Sequence, residues 1–239
     1  MTRIACVQLP NLPIAVVQRD GLAPATQPLV LYAVKRQRAV VYAASSDTDI
    51  TIGQPLHQAR LRCPHATYLP ADPERDRQAV AALTQLLGVF SPRLEEVEVL
   101  PDAALALDLG HPQFPQELAL VDRLVQQIRA ELGLLPALGI ASNRLVAQHA
   151  ARRAGVGVAL VVPSGDEAAF FAPQSISTLP FDTETLTRLD RLGLRSAGEV
   201  ARLPRGCDRP GTTGEYWLHW AAPRNRASRS GTRRMAIPS

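Results

Sequence analysis

Apolar runs of strand length alternate along this chain with stretches whose apolar residues recur at helical spacing. Arg3 to Gln8 predicts a short buried strand, and residues 10 to 18 predict a helix opened by Pro10 and Asn11. Leu29 to Tyr32 and Ala39 to Ala43 are β-rich runs on either side of Lys35-Arg36-Gln37-Arg38, the pattern of a hairpin with a basic turn. Gln54 to Arg62 reads as a helix. Asp72 to Gly88 reads as a longer one, with Asp72 as N-cap and Pro73 in the first turn. Leu94 to Val99 and Ala104 to Leu109 predict two strands joined near Pro101 and Asp102. Helical spacing returns from Pro115 to Leu132, followed by a strand at Leu138 to Ala141 and a helix at Ser142 to Arg153. Thr183 to Leu203 predicts two short helices around Gly193, and no internal repeat is visible. Strands and helices mixed in this order predict an α+β sheet domain.

The pattern breaks after Pro204. Residues 205 to 239 are rich in Gly, Pro, Ser, Thr and Arg without sustained period, so a disordered tail is expected. Both tryptophans, Trp217 and Trp220, fall in it, which is unusual for a linker and fits a frameshifted end.

Composition narrows the class. With 239 residues, 46% hydrophobic and 20% charged, the chain can build one or two cored domains. Aromatics are 5%, too few for a stacking platform that reads single strands. The formal charge is +4, and Lys35 is the only lysine, so the cations are arginines whose planar forks match phosphate oxygens. Cys6, Cys63 and Cys207 are far apart and odd in number, which argues against a disulfide framework and for a reducing, cytoplasmic setting. No apolar run suits a signal peptide or a membrane helix.

Several segments in order resemble the Y-family, lesion-bypass DNA polymerases. Ile4 to Gln18 is similar to the opening strand and helix of the palm. Pro28 to Ser45, then Gly53-Gln54-Pro55-Leu56 through Cys63-Pro64 to Asp72, resembles the fingers insertion. Phe90-Ser91-Pro92 to Leu107-Asp108-Leu109 looks like the palm hairpin, and Gly139-Ile140-Ala141-Ser142-Asn143-Arg144-Leu145-Val146-Ala147 resembles the family's G-I-A-x-N-K-x-L-A segment. The resemblance implies an α+β fold: a ferredoxin-like palm at 1–27 and 71–164, a small fingers insertion at 28–70 and a helical, helix-hairpin-helix-like thumb at 165–204, without the family's C-terminal little-finger domain.

The family's chemistry uses carboxylates that hold two magnesium ions. Where the family has D-x-D, this chain has Gln8-Leu9-Pro10. Where it has S-I-D-E, one alignment places Ala103 and Ala104 at the acidic pair and another places Leu100 and Pro101 there. Asp102 lies one residue away, and a one-residue shift turns a strand side chain to the opposite face unless a bulge absorbs it. Ala44-Ser45-Ser46-Asp47 replaces the triphosphate-gripping Tyr and Arg, and Leu12 or Pro13 replaces the sugar-discriminating aromatic. This pattern is similar to the inactive, ImuB-type branch of the family. It implies a DNA-binding repair accessory of translesion synthesis and the SOS response, partnered by an active polymerase and the sliding clamp, with no catalytic residue, no metal site and no cofactor.

Two other readings stay open. One is an active error-prone polymerase using Asp102 and Asp108 with magnesium; the other is a non-functional remnant. The residues expected to contact DNA are Asn143 and Arg144 at a helix start, Gly193 and Arg195 in the helical hairpin, and Lys35 and Arg36 in the basic turn. Gln85 to Phe90 superficially resembles a clamp-binding peptide but is expected to pack in the core, and His149 is expected to pack or face solvent rather than catalyse.

Overall fold

The computed structural model describes residues 2–98, 101–111, 114–179, 181–203 and 233–236. Its central strand, β1 (Ile4–Leu9), is buried at five of six positions because it has neighbours on both edges. On one side it pairs antiparallel with β6 (Ala103–Asp108), which pairs antiparallel with β5 (Leu94–Glu98). On the other it pairs antiparallel with β7 (Ala137–Ala141), which runs parallel to β8 (Val158–Val161). A last strand, β9 (Arg233–Ala236), joins β8 antiparallel and completes the order β5-β6-β1-β7-β8-β9.

Strand alternation sends the two faces of this sheet to different helices. Ala5, Val7 and Leu9 face a core shared with α1 (Leu12–Arg19), α3 (Pro73–Gly88) and α4 (Phe114–Leu132). Cys6 and Ala104 face α5 (Arg144–Ala154), α6 (Glu167–Phe171), α7 (Thr183–Arg191) and α8 (Ala197–Ala201). Buried Arg3 ties the start of the sheet to both helical layers: Nε donates to Glu117 Oε1 at 2.6 Å, Nη2 donates to Val162 O at 2.8 Å, and Nη1 lies 3.8 Å from Glu167.

The second sheet has the order β3-β2-β4, from β2 (Leu29–Lys35), β3 (Arg38–Ala44) and β4 (Thr67–Pro70). Ile14 and Val17 of α1 cover one face, and Ala59 of α2 (Leu56–Arg62) with Cys63 covers the other. Tyr42 on β3 donates to Asp76 on α3 at 2.9 Å, joining the two sheets' layers. Burial and that carboxylate push the tyrosine up to about 12.

The predicted elements are present with small shifts. The expected helix over 142–153 starts at Arg144 because Asn143 is extended and caps it. Asp72 caps α3, accepting from the Glu74 and Arg75 amides. Strands β4 and β8 and helix α6 were not predicted; each is four or five residues long, too short for its period to show. The expected disorder of 205–239 is corrected at Arg233–Ala236, where pairing with β8 supplies backbone partners that the local sequence does not reveal. Residues 205–232 and Val99 lie outside the described residues.

Candidate nucleic-acid interface

The register of β1 on β6 places side by side the residues at which the sequence resemblance expects the family's carboxylates. Gln8 sits opposite Ala104, and Leu9 opposite Ala103. This supports the alignment on Leu107-Asp108-Leu109; Leu100, which the other alignment uses, lies outside the described residues. Gln8 is 4% exposed and its Oε1 has no hydrogen-bond partner, while Ala103 and Ala104 are each 1% exposed. Pro10 follows the strand in the turn before α1. One neutral oxygen and three side chains without donor atoms do not fit two divalent cations, which take hard, mostly anionic oxygen ligands. Among the described residues, no group of three or more His, Cys, Asp or Glu is placed to hold a metal.

Asp102 is engaged elsewhere. Its Oδ1 accepts from the Asn11 amide at 2.6 Å, and Pro101 O accepts from the Leu12 amide at 2.8 Å, so this turn holds the start of α1. Asn11 is itself left-handed, with φ 49°, and its Nδ2 donates to Ala44 O at 2.7 Å. Asp108 lies at the other end of β6, accepting from the Gly110 amide at 2.8 Å and from Arg93 at 3.3 Å. Six residues of strand separate the two acids by about 20 Å at roughly 3.3 Å per residue, so they cannot share a metal ion.

The residues that the resemblance aligns with the family's nucleotide-binding side chains are engaged in packing or in the second sheet. Leu12 is fully buried, and Ser45 Oγ accepts from the Leu29 amide at 2.9 Å within the second sheet. Asp47 and Asp49 are exposed. His149 is buried edge-on to Phe171, its ring centroid 5.3 Å away, and burial lowers its proton affinity. Leu86 and Leu87 of the clamp-like peptide are core residues.

The residues predicted to touch DNA fall at three places. Asn143 caps α5, its Oδ1 accepting from the Val146 amide at 2.9 Å, and Arg144 beside it forms an ion pair with Glu95 of β5. Gly193, at φ 78°, turns the chain between α7 and α8; the Arg195 and Ser196 amides donate to Glu199 at 2.7 and 2.9 Å. That carboxylate takes up the Arg195 and Ser196 amides, while the Arg195 side chain is exposed. Arg36 and Gln37, both at positive φ, form the two-residue tip between β2 and β3 and expose Lys35, Arg36 and Arg38. Sequence reasoning missed Glu95 and Glu199. Glu199 had a local signal in the Ser196-to-Glu199 capping box, whereas Glu95 is 49 positions from Arg144.

The charge is unevenly shared. Residues 28–70 carry five cations against two carboxylates, a net +3, and residues 205–239 carry seven arginines against two, a net +5. The remaining residues are net −4. The net positive charge of residues 28–70 sits on the second sheet and α2, where Arg60 and Arg62 are exposed.

A sequence model of the impB/mucB/samB family matches residues 5–152. The chain is 32% identical over 190 residues to the DNA polymerase IV of Dehalococcoides mccartyi strain 195, covering 75% of this chain and 47% of that protein. It is 33% identical over 192 residues to the DNA polymerase IV of Halorhodospira halophila, covering 78% of this chain and 53% of that protein. The chain thus spans about half the length of the curated relatives it matches. The crystal structure of DinB from Sulfolobus solfataricus superposes with a TM-score of 0.71 at 18% identity, covering 81% of this chain and 58% of that one. An insertion ternary complex of Dbh DNA polymerase gives 0.72 with the same identity and coverage. The fold is accordingly the palm and fingers architecture with a helical region after it. One expectation is corrected by these relatives: that no cofactor belongs with the chain. They are polymerases by name, and polymerase chemistry is two-metal chemistry, so magnesium belongs with this family. No helix of the described residues is long and apolar enough to cross a membrane.

Proposed function

The chain belongs to the impB/mucB/samB family of Y-family polymerases, and on that premise we propose that it binds DNA in lesion bypass as an accessory that does not itself transfer nucleotides. The observation that carries this reading is the strand pair on which Gln8, Ala103 and Ala104 stand, with Pro10 beyond it, where the family has carboxylates. Without anionic ligands there, the triphosphate and primer hydroxyl lose the charge stabilisation on which the reaction depends. DNA contact runs through Lys35 and Arg36 of the fingers turn, Asn143 and Arg144 at the start of α5, and Gly193 and Arg195 of the helical hairpin. We keep the division into palm at 1–27 and 71–164, fingers at 28–70 and thumb at 165–204, and place the protein in the cytoplasm. On this reading the chain is of the ImuB type, with an active polymerase and the sliding clamp as its partners.

A second reading, an active error-prone polymerase, is favoured by the name the relatives carry, DNA polymerase IV, at 30–33% identity. Primer extension with magnesium and with manganese separates the two, alongside binding of the same primer-template at about 50 and about 200 mM salt. The accessory reading expects salt-sensitive binding without incorporation. Metal-dependent incorporation overturns it, and neither binding nor incorporation points to a non-functional remnant.

A further inference from the structure

Arg144 and Glu95 meet on one side of a groove of about 370 Å³, which Arg93, Asp108, Ile4 and Ala106 also line. The groove holds two guanidinium groups and two carboxylates, paired as Arg144 with Glu95 and Arg93 with Asp108. The Arg144 and Glu95 side chains are 50% and 60% exposed, so their attraction is screened by solvent and weak. A phosphate oxygen pair offers the same fork geometry as a carboxylate with more charge. The arginine is thus free to exchange one partner for the other at little cost, while the displaced carboxylate stays close enough to repel the incoming phosphate.

We propose that Glu95 is an internal stand-in for a DNA phosphate: it occupies Arg144 in the free protein and weakens DNA binding through this groove until a duplex displaces it. The inference rests on the DNA-binding reading above and adds to it a residue that sets affinity. Glu96 supplies a built-in comparison. It follows Glu95 on β5, but strand alternation puts it on the other face, opposite Leu105 of the α3 and α4 core. It is exposed, so removing its charge changes the net charge equally without touching Arg144.

The test measures dissociation constants for one primer-template across a salt series, for the full chain and its Glu95→Gln, Glu96→Gln, Arg144→Ala and Glu95→Gln/Arg144→Ala variants. Glu95→Gln is expected to tighten binding about threefold or more with little change in the logarithmic salt slope, because Arg144 neutralises the same phosphate in both complexes. Glu96→Gln is expected to move the constant by less than about twofold. In the Arg144→Ala background the gain from Glu95→Gln is expected to vanish. Equal effects of Glu95→Gln and Glu96→Gln, or a gain that survives without Arg144, overturn the proposal while leaving DNA binding intact. If neither the unaltered chain nor Glu95→Gln binds DNA, the DNA-binding reading falls and this inference with it.

Discussion

Asp102 shows how one hydrogen bond fixes what a side chain can do. Its carboxylate is the acid that sequence places nearest to a catalytic position, yet Oδ1 accepts from the Asn11 amide at 2.6 Å, at the entry to α1. Replacing it removes a charge-assisted hydrogen bond and strands a part-buried donor. Asp102→Ala is therefore expected to lower stability by about 1–2 kcal/mol in urea unfolding, with Asp102→Asn recovering most of the difference. DNA affinity is expected to stay unchanged in both variants. Gln8 is the opposite case: it is legible from sequence as a missing metal ligand, but its burial with an unpartnered Oε1 is known only from the packing around it.

Helix α5 packs tightly on β7, and Gly139 makes that approach possible. A Cβ there would stand 2.0 Å from Ala147 O and 2.3 Å from Ala151 N, both backbone atoms of α5 that cannot move aside without shifting the helix. The helix meets the strand with alanines, since Ala147, Ala150, Ala151 and Ala154 are all fully buried. Gly139→Ala is expected to cost about 3 kcal/mol or more, read as a lowered Tm or as loss of folded protein. The same packing accounts for the Gly-Ile-Ala run that carried the family resemblance: glycine admits the helix backbone, and Asn143 caps the helix that follows. Elements of this length and period were readable in the sequence. Strands β4, β8 and β9 were not, because four residues hold two alternations at most and their existence depends on a neighbouring edge.

For the molecule as a whole, the modest charge of +4 hides a basic fingers insertion and a basic C-terminal stretch around an acidic remainder. DNA binding is expected to follow that division. Replacing Lys35, Arg36 and Arg38 together with Ala is expected to reduce the logarithmic salt slope by up to about 2.7, at about 0.9 for each phosphate that is no longer neutralised, in the same salt titration. An unchanged slope would place the DNA elsewhere on the surface.

By itself, the sequence determined the order of the longer helices and strands, the palm and fingers resemblance, and the absence of carboxylates at Gln8, Pro10, Ala103 and Ala104, because periodicity and residue identity are local properties. Tertiary structure alone decided that Gln8 faces Ala104, that Asp102 serves α1 and stands far from Asp108, that Arg3 is buried among Glu117 and Glu167, and that Glu95 holds Arg144. Each of these depends on strand register or on groups tens of residues apart, and such distances are set only when the sheet and its two helical layers close on one another.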